Sequence, residues 1–390
     1  MLELAGVSKR LGTEDHIRDV SLQLVRGSMN VLLGPTLSGK TSLMRLMAGL
    51  EKPTSGDILL DGVSVVNIPV QKRRVAMVYQ QFINYPTLSI YENIASPLRV
   101  ARLTPAEIDK KVRHAADLLR LTDFLDQRPA QLSGGQQQRT AIARALVKES
   151  QLVLLDEPLA NLDYKLREEL RQELPRIFAE LGAILVYAST EPSEALLLGG
   201  NTATLHQGRV TQFGRTIDVF QRPVNLVTAQ TFSDPPLNIA SVSKRGIELL
   251  LDGFVIALSE RQAALPDGEY TLGLRPWHLT LEPAHSQHQH QHQTQGQDQG
   301  QGDDAASHDC VIQGQVRVTE ITGSETYVHL QVGQQPWVSL SRGVQHLDVD
   351  ALLPLYFSSE KIYLFDNTGR LVLAPDLLSQ RDSKTNVEAV

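Results

Sequence analysis

The chain has 390 residues, of which 42% are hydrophobic and 21% charged, and this is sufficient for two domains with their own apolar cores. Its formal net charge of −7 argues against a nucleic-acid-binding protein, because such proteins usually present a basic surface. The chain has one cysteine, Cys310, which excludes an internal disulfide and is typical of a reducing compartment. It contains no run of 18 apolar residues, the length that a membrane-spanning helix requires.

Residues 1 to about 235 alternate short apolar runs with helical patterns. Such alternation predicts a parallel sheet with helices packed on it. The runs predicted as buried strands are 29–34, 75–80, 152–156 and 183–187. The predicted helices are 41–50, 105–121, 135–148 and 164–181, the last kinked or broken at Pro175. Residues 57–62 and 202–214 predict hairpins at the edges.

The pattern changes after about residue 236, where short strands follow one another at turn-like spacing. This pattern predicts a small all-β barrel. A tract rich in Gln, His and Gly at 284–308 interrupts the barrel and offers nothing large and apolar to bury. We therefore predict a disordered surface insertion at that point.

Residues 34–41 read GPTLSGKT and match the pattern G-x-x-x-x-G-K-S/T between an apolar strand and a predicted helix. Backbone N–H groups of such a loop converge on an anion at the start of the helix. Lys40 would reach the β- and γ-phosphates of ATP, and the Thr41 hydroxyl would bind Mg²⁺. The predicted ATP-binding residues of this loop are Gly34, Pro35, Thr36, Leu37, Ser38, Gly39, Lys40 and Thr41.

A carboxylate pair follows the apolar run LVLLD at 152–156. Asp156 ends a predicted buried strand, where it can complete the Mg²⁺ shell and so belongs to the ATP site. Glu157 is adjacent and can polarise the attacking water. Together with the phosphate loop, this pair predicts ATP hydrolysis.

A second glycine-rich helix start lies in LSGGQQQR at 132–139. It presents another cluster of N–H groups, and hence another anion site. Because one nucleotide does not need two such cradles in one domain, we expect this one to act on a second molecule. Its predicted contacts with the ATP of the partner subunit come from Ser133, Gly134, Gly135 and Gln136.

These motifs in combination, with Gln80 in MVYQQ and NLD at 161–163, resemble the ATP-binding subunits of ABC transporters. Sequence segments at 272–279, 319–330 and 364–371 are similar to segments of the TOBE barrel of carbohydrate-importer ATPases. The resemblance implies an α/β P-loop NTPase domain of the ABC ATPase type at residues 1–235. A small all-β, OB-like TOBE barrel would follow at residues 236–390.

The resemblance also implies roles for single residues. Gln80 would sense Mg²⁺ and water and pass the signal to a groove that receives the permease, formed around YPTLSIYENIASPLR at 85–99. Asp163 would organise the dimer seam. The implied catalytic residues are Glu157, Gln80 and Thr190, and the implied Mg²⁺ ligands are Thr41, Gln80 and Asp156.

Three positions depart from the family pattern. Thr190 stands where the family carries a His that bonds the γ-phosphate, and loss of such a donor typically costs on the order of 10²–10³ in rate. Leu11 stands where an aromatic ring stacks on adenine, so it offers apolar contact without the stack. Leu37 replaces a small residue, which is a milder change.

The sequence therefore predicts the ATPase subunit of an importer for a carbohydrate or polyol, most of all glycerol, with ATP and Mg²⁺ as cofactors. Its predicted partners are a second, different ATPase subunit, two permeases and, indirectly, a solute-binding protein, but no nucleic acid. Its predicted location is the cytoplasmic face of the inner membrane, where permeases hold it peripherally. One alternative is a regulatory subunit that binds ATP but hydrolyses it weakly or not at all. Another is a soluble ABC ATPase of DNA repair or translation.

Overall fold

The computed structural model describes residues 1–81, 83–159, 182–282 and 309–375, together with 165, 167–168, 170–171 and 173–175. The chain forms two compact units, Met1–Val219 and Phe220–Val390. Residues 220–235, which the sequence pattern places with the first domain, group with the second unit. The predicted insertion at 284–308 and Asp163 lie outside the described residues.

The first unit has a mixed α/β architecture. Within its described residues the strands are β1 (Leu2–Leu11), β2 (Glu14–Leu24), β3 (Met29–Leu33), β4 (Ser55–Leu60), β5 (Val63–Ser64), β6 (Val75–Val78), β7 (Leu152–Asp156), β8 (Ile184–Ser189), β9 (Asn201–His206) and β10 (Arg209–Arg215). The described helices are α1 (Lys40–Ala48), α2 (Ile90–Val100), α3 (Pro105–Leu118), α4 (Gly134–Leu146), α5 (Pro192–Leu198) and α6 (Thr216–Gln221), and the last two residues of α6 belong to the second unit.

The central sheet has the order β10-β9-β3-β8-β7-β6, and the strands from β9 to β6 run parallel. Every residue of β7 and β8 is buried, as expected for parallel strands covered on both faces. An antiparallel sheet of order β2-β1-β4-β5 shares a core with it, in which Leu43 and Met47 of α1 are fully buried. Each such side chain contributes about 2 kcal/mol through burial of its apolar surface.

The helix α2 was not among the predicted helices, and it contains Pro97, a residue unfavourable inside a helix. Its start is nonetheless readable, since Ser89 and Glu92 form a capping box. Capping boxes also begin α3 at Thr104 and α4 at Ser133. The described residues of the predicted helix 164–181 are helical, including Pro175, and its continuation lies outside the described residues.

The second unit is built mainly from antiparallel strands. Its described strands are β11 (Asn238–Arg245), β12 (Glu248–Leu251), β13 (Phe254–Ala257), β14 (Gly268–Leu274), β15 (Asp309–Ile321), β16 (Glu325–Val332), β17 (Gln335–Arg342), β18 (Leu352–Ser358), β19 (Tyr363–Phe365) and β20 (Leu371–Leu373). The helices α7 (Leu226–Thr231) and α8 (Glu260–Ala263) accompany them.

Two sheets, ordered β13-β12-β11-β14-β19-β20 and β17-β16-β15-β18, enclose one core in this unit. Trp337 is fully buried there and donates its indole N–H to the Ile239 carbonyl at 3.1 Å. Helix α7 belongs here because Ala229 packs in a cluster with Tyr363 and Phe365. The predicted fold class, an α/β domain followed by a small all-β domain, is confirmed. None of the helices in the described part of the chain has the length and apolar character that crossing a lipid bilayer requires.

A basic cluster of the buried Arg275 and the half-buried His278 makes the stability of the second unit depend on pH. The Arg275 guanidinium lies 4.0 Å from the centre of the Phe220 ring and donates to the Phe232 carbonyl. Burial, with the charges of Lys361 and Arg275, lowers the pKa of His278 to about 4. The folded unit therefore favours neutral His278.

Because this pKa lies below its ordinary value, the stabilisation is complete above pH 6.5 and is lost as the pH falls toward 4. We expect the free energy of unfolding to fall by up to ~2–3 kcal/mol across that window. The His278→Gln variant should flatten the slope between pH 7 and 5, measured by urea unfolding with tryptophan fluorescence. A matched change at the exposed His346, His346→Gln, should leave the slope intact; equal flattening by both variants would contradict the prediction.

Candidate nucleotide-binding site

The loop between β3 and α1 has the conformation of a phosphate cradle. Its last glycine, Gly39, has φ 106°, and a Cβ there would lie 3.1 Å from the His16 carbonyl oxygen. At Gly34 a Cβ would lie 2.4 Å from the Leu205 carbonyl oxygen. Both positions therefore require glycine. Leu37 is 96% exposed with φ 66°, so the middle of the loop projects into solvent.

Lys40 is held inside this loop. Its side chain is 5% exposed, and Nζ donates to the carbonyl oxygens of Gly34 at 2.8 Å and Pro35 at 3.1 Å. Nζ also lies 3.7 Å from Glu157 Oε1. Burial lowers the pKa of Lys40, and the carboxylates of Glu157 and Asp156 oppose that shift. The loop thus carries a fixed ammonium group where phosphates would bind.

Oxygen donors for a divalent cation meet beside this lysine. Thr41 Oγ1 donates to Asp156 Oδ2 at 2.8 Å, and Gln80 Nε2 donates to Glu157 Oε2 at 2.9 Å. Burial raises the pKa of Asp156, and the carboxylate of Glu157 adds to the shift. A hydroxyl, an amide and carboxylates at one point form the all-oxygen set that Mg²⁺ prefers. The residues present therefore fit this ion.

Sheet topology explains why distant residues meet here. The strands β3, β8, β7 and β6 are parallel neighbours, so their carboxyl ends share one edge. The Gly34 N–H donates to the Ser189 carbonyl at 3.3 Å, and the Glu157 N–H donates to the Ala188 carbonyl at 3.2 Å. Thr190 follows Ser189 directly and is exposed at this edge. Gln80 follows β6 at the same edge.

A cluster of charged residues behind Thr190 was not predicted. Ser189 Oγ donates to Glu194 Oε2 at 2.5 Å and accepts from the Glu191 N–H at 3.0 Å. Arg171 Nη2 lies 3.3 Å from Glu194 Oε1 and 3.0 Å from Glu191 Oε2. Burial raises the pKa of Glu194. These contacts restrain the turn that carries Thr190. The only sequence signal for this cluster is a carboxylate in the first turn of a short apolar helix.

The second glycine-rich helix start predicted at 132–139 begins α4, and its residues 133–136 are called the signature residues. Ser133 Oγ accepts from the Gln136 N–H at 3.4 Å, and Gln136 Oε1 accepts from the Ser133 N–H at 2.8 Å. Ser133 and Gly134 are exposed, and Gly135 is half-buried. The capping box therefore pairs the N–H groups of Ser133 and Gln136, and the exposed residues Ser133 and Gly134 are what this helix start presents to solvent.

One cavity of about 510 Å³ contains the phosphate loop. Its described lining is Glu14, Asp15, His16, Arg18, Thr36, Leu37, Gly39, Lys40, Thr41, Ser42, Gln80, Glu157, Gln207 and Gly208. The structure thus brings Lys40, Thr41, Gln80 and Glu157 to one wall, as predicted from the motifs. Leu11, 49% exposed at the end of β1, lies outside that lining, as do Thr190 and the signature residues.

A second cavity of about 600 Å³ lies in the same unit. Its described lining is Ala76, Met77, Val78, Tyr79, Ile83, Tyr85, Leu88, Ser96, Pro97, Val100, Ala141, Arg144, Ala145 and Lys148. The Arg144 guanidinium lies 4.6 Å from the Tyr85 ring centre and donates to the Ile83 carbonyl at 2.6 Å. This groove contains part of the predicted segment 85–99.

The fold and the site define a P-loop ATPase. The family described as ABC transporter matches residues 17–160. The chain is 33% identical over 385 residues to the trehalose/maltose import ATP-binding protein MalK of Thermococcus litoralis, which covers 94% of this chain and 98% of that protein. It is 34% identical over 380 residues to the sn-glycerol-3-phosphate import ATP-binding protein UgpC of Cupriavidus pinatubonensis, with coverage of 94% and 97%.

Solved structures agree with these relatives. The ATP-binding cassette MJ0796, in a dimeric post-hydrolysis state bound to ADP and Pi, matches with a TM-score of 0.52 and 29% identity, covering 55% of this chain and 99% of that one. The chain belongs to the ATP-binding subunits of ABC transporters. It is therefore an ABC-type ATPase, and the resemblance stated from the motifs is confirmed.

Proposed function

We propose that this chain is the ATP-binding subunit of an importer for a carbohydrate or a polyol, glycerol foremost. One observation carries the proposal: at one sheet edge Thr41 is hydrogen-bonded to Asp156, and Glu157 contacts both Gln80 and Lys40. The names of the full-length relatives support import, because they specify trehalose/maltose and sn-glycerol-3-phosphate as cargo.

In this proposal each group of the site has one task. Lys40 holds the terminal phosphates through its ammonium group, and the loop amides surround them. Thr41, Gln80 and Asp156 would hold Mg²⁺, which supplies charge neutralisation of the phosphates when bound. The Glu157 carboxylate orients the attacking water and accepts its proton. Gln80 connects that carboxylate to the segment that begins the groove.

The chain acts in a dimer in which each nucleotide is enclosed between two subunits. Support comes from the exposed helix start at Ser133 and Gly134, which does not line the chain's own cavity. The proposed partner is a different ATPase subunit with a histidine at the position of Thr190. This chain's signature residues would complete the partner's site, while its own site would turn over slowly, and Asp163 would lie at the seam.

The groove of about 600 Å³ is the proposed docking site for the permease subunits. Support comes from exposed apolar side chains in its wall, since Ile83 is 65% and Val100 84% exposed. Two permeases would hold the dimer at the cytoplasmic face of the membrane, and a solute-binding protein would deliver cargo to them.

The Val100→Asp variant tests this assignment. We expect it to reduce copurifying permease roughly tenfold or more, because a carboxylate would be desolvated in an apolar interface. ATP binding by the chain should not change, and uptake of labelled glycerol or disaccharide by cells carrying the variant should fall in parallel. Val63 is a similarly exposed valine on β5, so Val63→Asp is the matched control. Full permease recovery with Val100→Asp would contradict the assignment, and recovery of no permease with the unaltered chain would favour a soluble ABC ATPase.

A further inference from the structure

Part of the lining of the nucleotide cavity comes from β2, which no motif predicted. Glu14, Asp15, His16 and Arg18 all line the same cavity as Lys40. The Arg18 N–H donates to the Gly208 carbonyl at 2.8 Å, and the Gly208 N–H donates to the Ser38 carbonyl at 2.9 Å. These two bonds join β2 to the phosphate loop through the turn between β9 and β10.

The backbone of His16 is fixed while its ring stays accessible. A Cβ at Gly208 would lie 2.6 Å from the His16 carbonyl oxygen, and one at Gly39 3.1 Å from it, so the chain segments pack without space. The imidazole is 37% exposed, and Nε2 lies 3.8 Å from a largely exposed carboxylate of Glu14. Such a surface pair contributes little to stability, so the ring can change neighbours.

We propose that the base of the bound nucleotide packs on the imidazole ring of His16, which makes His16 the residue that determines base affinity in this site. Among the described residues that line the cavity, His16 carries the only ring. Leu11, at the position where the family resemblance implies an adenine-stacking ring, lies outside that lining. The inference rests on the proposed function, because it requires that the phosphate loop hold the triphosphate of the nucleotide.

The argument for stacking is chemical. Any base presents a π face, and stacking of a ring on it contributes to the binding free energy without base-specific hydrogen bonds. A guanidinium beside the ring adds a cation that can lie over the base, and Arg18 lines the same wall. The carboxylate of Asp15 is shared between two arginines: Oδ1 lies 2.7 Å from Arg10 Nε, whereas Oδ2 lies 4.0 Å from Arg18 Nε, so Arg18 is held only at the limit of ion-pair distance.

The test compares a nucleotide with its phosphates alone. Binding of ATP and of inorganic tripolyphosphate to the full-length chain is measured by calorimetry for the unaltered protein, His16→Ala, His16→Phe and Leu11→Ala. We expect His16→Ala to weaken ATP roughly 5- to 30-fold and to leave tripolyphosphate unchanged. His16→Phe should restore ATP affinity, and Leu11→Ala should weaken ATP less than His16→Ala does.

Two outcomes would overturn the inference. Equal weakening of ATP and tripolyphosphate by His16→Ala, without rescue by His16→Phe, would show that His16 supports the loop and not the base. Loss of ATP affinity in Leu11→Ala but not in His16→Ala would place the base on β1. Failure of the phosphate site itself is a separate result, because the unaltered chain would then bind neither ligand.

Discussion

Replacing Thr190 with histidine is expected to raise the rate of ATP hydrolysis at this chain's own site on the order of 10²-fold. A threonine hydroxyl is short and uncharged, whereas an imidazole can reach the γ-phosphate from the same strand end and donate a hydrogen bond to it. The position is suited to the change, because Thr190 is exposed and an added ring need not displace the core.

The geometry of the sheet edge supports this expectation. Ser189 accepts the Gly34 N–H, and Ala188 accepts the Glu157 N–H, so Thr190 follows a strand anchored to both the phosphate loop and the carboxylate pair. The contacts of Arg171 with Glu191 and Glu194 hold the turn in place. A donor introduced at residue 190 would therefore be preorganised, which is the condition for a large electrostatic effect.

The measurement requires a transporter complex in which only this chain's site can turn over. The partner ATPase carries an inactivated phosphate loop, and steady-state hydrolysis is compared for the unaltered chain, Thr190→His and Thr190→Ala. The alanine variant is the control and should stay within about threefold of the unaltered chain. If Thr190→His has no effect while Thr190→Ala abolishes turnover, the hydroxyl itself is catalytic and the proposed slow site is wrong.

Replacing Lys40 with alanine is expected to weaken ATP binding at this site by about 3 kcal/mol, roughly 10²-fold. The ammonium group is buried beside Glu157 and Asp156, so its removal leaves two carboxylates facing the phosphates without compensation. Lys52 is an exposed lysine of the same unit, and Lys52→Ala should leave ATP affinity unchanged.

The same variant distinguishes the two functions that the sequence left open. If this chain contributes to hydrolysis, the purified complex with Lys40→Ala should lose part of its ATPase activity. If the chain is a regulatory subunit, hydrolysis per complex should persist because the partner performs it. Binding is followed by calorimetry on the isolated chain and hydrolysis by phosphate release from the complex. A Lys40→Ala chain that binds ATP normally would contradict the assigned phosphate site.

The sequence alone was enough to predict the phosphate loop, the carboxylate pair and the fact that both lie in one site. Glycine positions and the strand–loop–helix context are local properties, and parallel strands place their carboxyl ends at one edge. Helix α2 was not predicted, although the sequence carries a start signal for it in the capping box of Ser89 and Glu92, together with the opposing signal of Pro97.

Other features depended on which distant segments became neighbours. His16 lines the cavity because β2 is bonded through the Arg18 N–H to the turn at Gly208, about 190 residues later in the chain. The Arg171–Glu194 contact likewise joins separate elements, and its partners carry no motif. The motifs could be recognised because their chemistry depends on local backbone conformation and residue spacing. The part of the cavity that would receive the base depends instead on packing between segments far apart in the chain, which a single sequence does not specify.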